Sequence, residues 1–285
     1  MADLSGISSE YMDYCWQDVP EYSVYNIFRG EKLGSLLDDN IIEVKDVPEN
    51  YDMTKLQHIN VSSHKNGKIY VDKESITGFI ETLQYPLYYL DYETIFPAIP
   101  LYDNSSPYQQ IPFQFSLHIQ KEMGGDLDHI EFLHTEAGDP RPDFLKALIK
   151  NCGSFGSVVV YNQGFESRIN NELGISFPEY RVALAKINER MVDLLIPFRS
   201  KYLYHPKMQG SASLKSVLPA FITDLSYDDL VIQDGGSASS LYLSCIKGVV
   251  SNKEKKQVFQ NLKKYCETDT LAEVKLLEIL HKTVR

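Results

Sequence analysis

The sequence predicts an α/β protein in which a mixed five-stranded sheet carries helices on both faces, after a short irregular and helical N-terminal segment. Two patterns predict this architecture: three strand-like segments follow one another between residues 86 and 133, and strands then alternate with helices. A long amphipathic helix is expected at the C-terminus. The 285 residues, 43% of them hydrophobic and 24% charged, are typical of a folded globular protein and exclude collagen-like or wholly disordered chains.

The N-terminal 84 residues are predicted to be an acidic lead-in rather than a compact domain. Residues 1–50 mix aromatic and acidic side chains without a clean period, which is typical of short helices and turns. A small hairpin is expected near the Asn66-Gly67 turn. The domain proper is expected over residues 85–285. The elements predicted for the rest of the lead-in are a helical piece over 53–63, a strand over 68–71 and a helix over 74–83.

The elements of the main domain are predicted from strand composition, helical periodicity and turn residues. Gly174 is expected to end one helix and Pro219 to stop another. The predicted strands are residues 86–92, 113–120, 130–133, 157–161 and 191–195. The predicted helices are residues 141–151, 165–173, 211–221 and 252–282, with small helices between 237 and 250.

Composition also bears on location and on the cysteines. No uncharged apolar run approaches the roughly 18 residues of a membrane-spanning helix, and residues 1–10 lack the features of a signal peptide. We therefore expect a cytoplasmic protein with no membrane partner. The cysteines are widely spaced and form no C-x-x-C pair, which predicts free thiols rather than disulfides or a closed zinc site. They are Cys15, Cys152, Cys245 and Cys266.

The net charge of −11 is unevenly distributed along the chain. Residues 1–56 contain 12 acidic and 4 basic side chains, so most of the acidity lies in the lead-in. Residues 186–215 contain six basic side chains against two acidic ones, and residues 247–264 contain six against one. Such stretches form either solvated helix faces or a path for nucleic-acid phosphates, and charge alone leaves both interpretations open.

A pair of carboxylates marks the first core strand. Asp91 and Glu93 lie two residues apart, so on a strand they project from the same face and can share one site. Like charges this close raise each other's pKa, and a divalent cation resolves the conflict. Alternatively, the strand ends at Leu90 and both acids point into water.

Two further segments carry candidate residues. Glu166 follows a predicted strand in NQGFE and falls in the first turn of a helix, where a carboxylate also complements the helix dipole. Tyr265 and Asp269 lie four apart on the last helix, hence on one face. A tyrosine on such a face can equally be a packing residue.

The order of these segments resembles the DEDD exonuclease superfamily in its tyrosine subtype: D-x-E, an acid after N-x-x-F, then Y-x-x-x-D. The resemblance covers residues 86–285 and implies an RNase H-like fold. Asp193 in VDLL and the segment SLKSVL are similar to the stretches between the second and third motifs of RNase D-like enzymes. By the resemblance, the metal ligands are Asp91, Glu93, Glu166 and Asp269, and Tyr265 is catalytic. The second motif usually carries Asp, whereas Glu166 is one methylene longer.

A narrower resemblance, over residues 51–285, is to a bacterial family of uncharacterised domains often found behind RecB-like nuclease modules. LYYLDYETI, PYQQIPFQFSLH, VVYNQGFE and YCETDT carry it. It implies association with such a module. The lead-in shows neither the acidic and lysine motif nor the cysteine cluster of that module.

The implied activity is a 3′ to 5′ exonuclease that uses two Mg²⁺ or Mn²⁺ ions, which oxygen-only ligands favour, and releases nucleoside 5′-monophosphates. The expected partner is the 3′ end of single-stranded DNA or RNA. The alternatives are a catalytically weakened nucleic-acid-binding or scaffolding domain and a purely structural partner domain; the last predicts that the acids are dispersed in space.

Three groups of side chains are candidates for binding the nucleic acid. The aromatic candidates could either stack on bases or pack in the core. The group at 108–114 could either line a terminal-nucleotide pocket or simply be polar residues at a strand edge. The phosphate candidates are Arg190, Arg199, Lys201, Lys207 and Lys215. The stacking candidates are Tyr202, Tyr204 and His205. The pocket candidates are Tyr108, Gln109, Gln110 and Gln114.

Overall fold

The computed structural model of the protein describes residues 16–285, and Cys15 lies outside them. Its five-stranded sheet has the order β4-β3-β2-β5-β6, antiparallel between β2, β3 and β4 and parallel between β2, β5 and β6. A separate two-stranded sheet pairs β1 with β7. The strands are β1 Tyr70–Val71, β2 Leu87–Ile95, β3 Ile111–Gln120, β4 Leu127–Leu133, β5 Val158–Val160, β6 Met191–Asp193 and β7 Leu203–Tyr204.

Eleven α-helices surround these strands within residues 16–285. They are α1 Val24–Ile27, α2 Gly30–Asp38, α3 Lys55–Asn66, α4 Lys73–Glu81, α5 Arg141–Asn151, α6 Gln163–Ser176, α7 Arg181–Asn188, α8 Leu195–Arg199, α9 Leu214–Phe221, α10 Gly235–Ile246 and α11 Asn252–Val284. In this described part of the chain, no helix combines the length and the apolar character that crossing a membrane requires.

Helices cover both faces of the five-stranded sheet, which confirms the predicted mixed α/β architecture. Strand alternation sends Leu87 and Tyr89 of β2 to a core shared with α4, α9, α10 and α11. Tyr88 and Leu90 point the other way, into a core formed with α5, α6 and α7. Helix α11 lies across β2 and β3, so its inward face opposes the strand that carries Asp91 and Glu93.

The lead-in forms a small core of its own and also contributes to the main one. Val24, Phe28 and Leu36 are buried together in the small core. Ile76 and Phe79 of α4 are buried in the main core. The last helix before residue 85 therefore packs as part of the larger body.

The expected hairpin in the lead-in is wrong. Strand β1 pairs with β7, so Tyr70 lies opposite Tyr204 and Val71 opposite Leu203. Gly67, in the left-handed conformation, ends α3 at this point instead of turning two paired strands. The strand thus joins the lead-in to a distant part of the domain.

Several predicted boundaries also shift. Helix α6 continues to Ser176, because Gly174 is not a helix terminator: a Cβ there would lie 3.4 Å from the Cα of Arg181, so the glycine permits a close approach to α7. Strand β6 stops at Asp193, and α8 begins at Leu195. One helix, α10, replaces the small helices expected between 237 and 250.

Candidate metal centre

Strand β2 places two carboxylates under helix α11. It runs to Ile95, so the alternative that the strand ends at Leu90 and leaves its acids in water is wrong. Asp91 and Glu93 project from the same face because they lie two residues apart in one strand. Glu93 is only 6% exposed, and Asp91 is partly exposed.

Helix α11 brings a third carboxylate to the same point. One carboxylate oxygen from each of Asp91, Glu93 and Asp269 lies within 4.8 Å of the others. The Tyr227 hydroxyl donates a hydrogen bond of 2.5 Å to Oδ1 of Asp269. The Cys266 thiol, one turn from Asp269, points to Oδ2 of Asp91 at 3.5 Å. The predicted convergence of the first and third motifs is therefore present, and we refer to these three acids as the acidic centre.

The acidic centre is electrostatically unfavourable without a cation. Burial raises the pKa of Asp91 well above its usual range, and the nearby Asp269 raises it further. Burial, Asp91 and Asp269 raise the pKa of Glu93 in the same way. Burial raises the pKa of Asp269 to about 7, although the Tyr227 hydrogen bond and Lys215 lower it. Three clustered oxygen donors that resist ionisation without a counter-ion fit a divalent cation such as Mg²⁺ or Mn²⁺.

Glu166 is inside the protein but outside this three-acid group. It lies in the first turn of α6 with 2% of its surface exposed, and its Oε2 has no hydrogen-bond partner among residues 16–285. Burial raises its pKa, and the negative charges of Asp91 and Asp193 add to the effect. Complementation of the helix dipole does not account for a buried carboxylate oxygen without a partner.

A fifth acid, Glu273, lies one turn beyond Asp269 on α11 and was not predicted from the sequence. It is 1% exposed, and its Oε2 also lacks a hydrogen-bond partner within the described chain. Its pKa is raised well above the usual range, first by burial and then by Asp91, Glu166 and Asp269; the backbone N–H of Tyr161 opposes this by donating to its carboxylate. The spacing Tyr265, Asp269, Glu273 puts all three on one helix face, which is the signal that could have found it.

Tyr265 lies at the edge of the acidic centre. It is almost fully buried and belongs to the main core, so the packing interpretation is confirmed. Burial raises its pKa, and the charges of Asp269 and Glu93 raise it further, which indicates that the phenol is close to both acids. The two interpretations of this residue are therefore compatible.

One of the predicted phosphate ligands, Lys215, lies beside the acids. Its Nζ is 5.7 Å from the ring centroid of Tyr265 and 5.8 Å from that of Tyr227. Its positive charge lowers the pKa of both Glu93 and Asp269. Lys215 is exposed, so it can meet a ligand from solvent.

Several other binding candidates have structural roles. Arg190 donates to the backbone carbonyls of Cys152, Gly153, Phe155 and Gly156, which closes the loop before β5. The expectation that it binds phosphate is therefore wrong.

Lys201 and Tyr204 are also poor candidates for phosphate binding and stacking. Lys201 is buried 4.6 Å above the ring of Tyr204, and burial lowers the pKa of its ammonium to about 8. Tyr204 is fully buried, so packing accounts for it and base stacking does not. Tyr202 packs against the same core, and the His205 ring contacts Phe221 edge-on.

Two of the residues predicted to line a pocket at 108–114 also have structural roles. Gln114 is buried and donates to the Leu262 carbonyl, and Gln110 accepts a hydrogen bond from Thr94. These two residues hold β2, β3 and α11 together. Tyr108, by contrast, is 69% exposed. Strand polarity therefore explains Gln110 and Gln114 better than a nucleotide pocket does.

An open groove lies where β5 and β6 end. It has a volume of about 530 Å³, and Tyr161, Asn162, Arg199 and Ser213 are among its lining residues. Tyr161 connects the groove to the site because its backbone N–H donates to Glu273. Asp193 fixes the local backbone by accepting from the N–H groups of Asn162 and Leu195.

The free thiols expected from the sequence are confirmed for Cys152, Cys245 and Cys266, all of them buried. Only Cys266 touches the acidic centre. Burial and the surrounding carboxylates raise its pKa, so the thiol remains protonated.

Fold and site together define an α/β protein with a largely buried acidic centre whose geometry is compatible with a divalent cation. A family model described as "Domain of unknown function (DUF2779)" matches residues 88–213. The match includes Asp91, Glu93 and Glu166 and ends before α11. No solved structure matches the chain significantly.

Three curated relatives are uncharacterized proteins of Mycoplasma and Ureaplasma species. An uncharacterized protein of Mycoplasma genitalium is 29% identical over 218 residues, which cover 69% of this chain and 32% of the relative. Its Mycoplasma pneumoniae homologue is 30% identical over 203 residues, covering 65% and 30%. An uncharacterized protein of Ureaplasma parvum is 24% identical over 242 residues, covering 78% and 35%. The chain thus spans about a third of the length of the curated relatives it matches.

Proposed function

We propose that the protein is a divalent-metal-dependent 3′ to 5′ exonuclease of the DEDD type, built on an RNase H-like fold. The observation that carries the proposal is the convergence of Asp91, Glu93 and Asp269 within 4.8 Å, although the strand and the helix that contribute them are distant in the chain. The sheet order, three antiparallel strands followed by two parallel ones, supports the RNase H-like assignment.

We assign the acids to two ion positions that share Asp91. Asp91, Glu93 and Asp269, which converge within 4.8 Å, would hold one ion. Asp91, Glu166 and Glu273 do not converge that closely, but the charge of Asp91 acts on both glutamates and that of Glu166 on Glu273, and these three would share a second ion. Bound there, Mg²⁺ or Mn²⁺ would supply a water of lowered pKa and stabilise the negative charge that develops on the phosphate oxygens and the leaving 3′ oxygen. The unpaired oxygens of Glu166 and Glu273 support this division.

The other residues of the site position the substrate. The Tyr265 hydroxyl, beside Asp269 and Glu93, would orient the attacking water. Water adds to phosphorus as the P–O3′ bond breaks, so the 3′ oxygen leaves with the shortened strand and a nucleoside 5′-monophosphate is released. Lys215 would contact the scissile phosphate. Arg199, exposed in the groove, would contact the single strand further along.

A second candidate function is a catalytically weakened nucleic-acid-binding or scaffolding domain. The position of Glu166 outside the three-acid group favours it, because the second motif then contributes less to metal binding. A purely structural role predicts that the acids are dispersed, and the convergence of the other three acids contradicts that prediction. Association with a RecB-like nuclease module is also proposed, since the relatives extend far beyond the matched third.

The test compares the protein with Asp91→Asn/Asp269→Asn on 5′-labelled single-stranded DNA and RNA, with Mn²⁺, Mg²⁺ or chelator. Glu81→Gln, which removes an exposed carboxylate on α4, is the matched control. A metal-dependent ladder that shortens from the 3′ end, present in the protein and in the control and absent from the double variant, is expected. The double variant loses buried like charges, so it is expected to remain folded, which circular dichroism verifies. If the intact protein binds Mn²⁺ or nucleic acid but yields no ladder, the weakened domain is the better description.

A further inference from the structure

A second group of potential metal ligands lies on the sheet at its antiparallel end. His118 of β3 and His129 of β4 are directly opposite in register, and their rings are stacked with centroids 4.4 Å apart. Helix α11 adds Glu267. One ligand atom from each of these three residues lies within 4.8 Å of the others.

Hydrogen bonds already fix one nitrogen of each imidazole. His118 Nδ1 lies 2.9 Å from the Thr270 hydroxyl, and His129 Nε2 lies 3.0 Å from the Ser116 hydroxyl. The two hydroxyls are themselves 2.7 Å apart. Metal-binding histidines characteristically have such an outer partner, which sets the tautomer and the orientation of the ring. His118 Nε2 and His129 Nδ1 are therefore left to face an ion.

The two carboxylate oxygens of Glu267 likewise have different neighbours. Lys264 donates to Oε2 of Glu267 at 3.1 Å, while Oε1 lies 3.8 Å from His129 Nδ1. That separation is too long for a hydrogen bond. It is close to the roughly 3.4 Å between ligand atoms of a tetrahedral ion with bonds of about 2.0–2.2 Å. The side chains of His129 and Glu267 are 26% and 33% exposed, so an ion has a route from solvent.

We propose that His118, His129 and Glu267 form a metal site separate from the acidic centre, with three protein ligands and an open fourth position. Its two imidazoles and one carboxylate suit Zn²⁺ and related ions, whereas the oxygen-only acidic centre suits Mg²⁺ or Mn²⁺. The alternative is a hydrogen-bonded network with no ion.

The position of the site indicates what an ion there does. Its ligands join β3 and β4 to α11 within one turn of Asp269, so the ion fastens the helix that completes the acidic centre. This inference does not depend on the proposed exonuclease, because the two sites use different residues.

The experiment titrates chelator-treated full-length protein with Co²⁺, whose tetrahedral complexes absorb visible light far more strongly than its octahedral ones, and then with Zn²⁺ as competitor. One strongly absorbing equivalent, displaced by Zn²⁺, is expected. His129→Ala and Glu267→Gln should each abolish this absorption. Both replace partly exposed side chains, and circular dichroism verifies that the variants fold. Asp91→Asn is the matched control and should keep the spectrum while losing Mn²⁺ binding.

Three outcomes would overturn the inference. The first is the absence of the tetrahedral spectrum in the unmutated protein. The second is an unchanged spectrum in folded His129→Ala or Glu267→Gln, which would place the ion elsewhere. The third is loss of the spectrum in Asp91→Asn, which would assign the Co²⁺ to the acidic centre. The exonuclease assay is a separate measurement, so each proposal can fail alone.

Discussion

The hydroxyl of Tyr227 lies 2.5 Å from Oδ1 of Asp269 and donates a hydrogen bond to it. Tyr227 comes from the irregular segment between α9 and α10, so a loop residue orients the carboxylate that the last helix contributes. Its ring also faces Tyr265, with centroids 6.2 Å apart. The loop thus contacts the acidic centre through a hydrogen bond to one of its carboxylates. Hydrogen-bond partners of this kind orient metal ligands and tune their affinity.

Tyr227→Phe tests that role. We expect Mn²⁺ affinity to fall about 10- to 100-fold, because Asp269 loses its orienting donor and the hydrogen bond that lowers its pKa. Isothermal titration calorimetry measures the change, and Tyr108→Phe, which alters an exposed tyrosine, should leave affinity unchanged. Equal affinity in Tyr227→Phe and the unmutated protein would show that the loop plays no part in ligation.

The second prediction concerns pH. The pKa of Asp269 in the folded protein is about 7, above its unfolded value near 4, so the folded state holds the proton more tightly. In chelator, this group's contribution to the free energy of unfolding is full below about pH 4. It should decline by roughly 1.4 kcal/mol per pH unit up to about pH 7.

Urea unfolding at pH 5 and pH 8, with chelator and with Mn²⁺, measures this effect. Mn²⁺ should restore stability at pH 8, since the bound cation favours the ionised carboxylates. Asp269→Asn should lessen the pH dependence in chelator. A metal-free protein that is more stable at pH 8 than at pH 5 would contradict the expectation.

Lys215 is the subject of the third prediction. Lys215→Met removes the cation that lowers the pKa of Glu93 and Asp269, and with it the expected contact to phosphate. We expect kcat/KM on a single-stranded substrate to fall about 10- to 100-fold. Lys207→Met removes an exposed charge from the same basic stretch and is the control. Equal losses of kcat/KM in both variants would mean that Lys215 contributes only general electrostatic attraction and makes no specific contact with the scissile phosphate.

The fourth prediction separates metal binding from folding at Glu273. Glu273→Gln removes a buried negative charge and replaces it with an amide of similar shape. In chelator we expect the variant to be more stable by about 1–3 kcal/mol, while Mn²⁺ binding is reduced. Glu278→Gln, on the exposed side of the same helix, is the control. A Glu273→Gln variant that is less stable in chelator would mean that the carboxylate is held by protein contacts alone.

Much of the fold could be predicted from the sequence because its strands are dense in β-branched and aromatic residues and its helices are periodic. Helix α5 has the predicted bounds, and α11 extends only two residues beyond its predicted end. The hairpin was wrong because pairing between β1 and β7 joins Tyr70 to Tyr204 and Val71 to Leu203, residues too far apart in the chain to leave a local signal. Gly174 was misassigned because its role is a contact between helices, which the sequence does not show.

The candidate site shows the same division. Asp91 and Glu93 could be paired from their spacing alone, because a strand fixes side-chain direction with period two. Glu273 was missed although it continues the four-residue spacing of Tyr265 and Asp269, since glutamate is common on exposed helix faces. Tyr227 and the cluster at His118 depend on tertiary contacts, and no spacing in the sequence predicts either.

The pairing of β1 with β7 limits where this chain can be cut into fragments that still fold. A fragment cut at the bounds of the family match, 88–213, would keep the sheet but lose both β1 and α11. The main-chain groups of β7 would lose their partners, and the apolar face of the sheet that covers Leu276 and Leu277 would meet water. A fragment that folds alone should therefore extend beyond 88–213 to include β1 and α11.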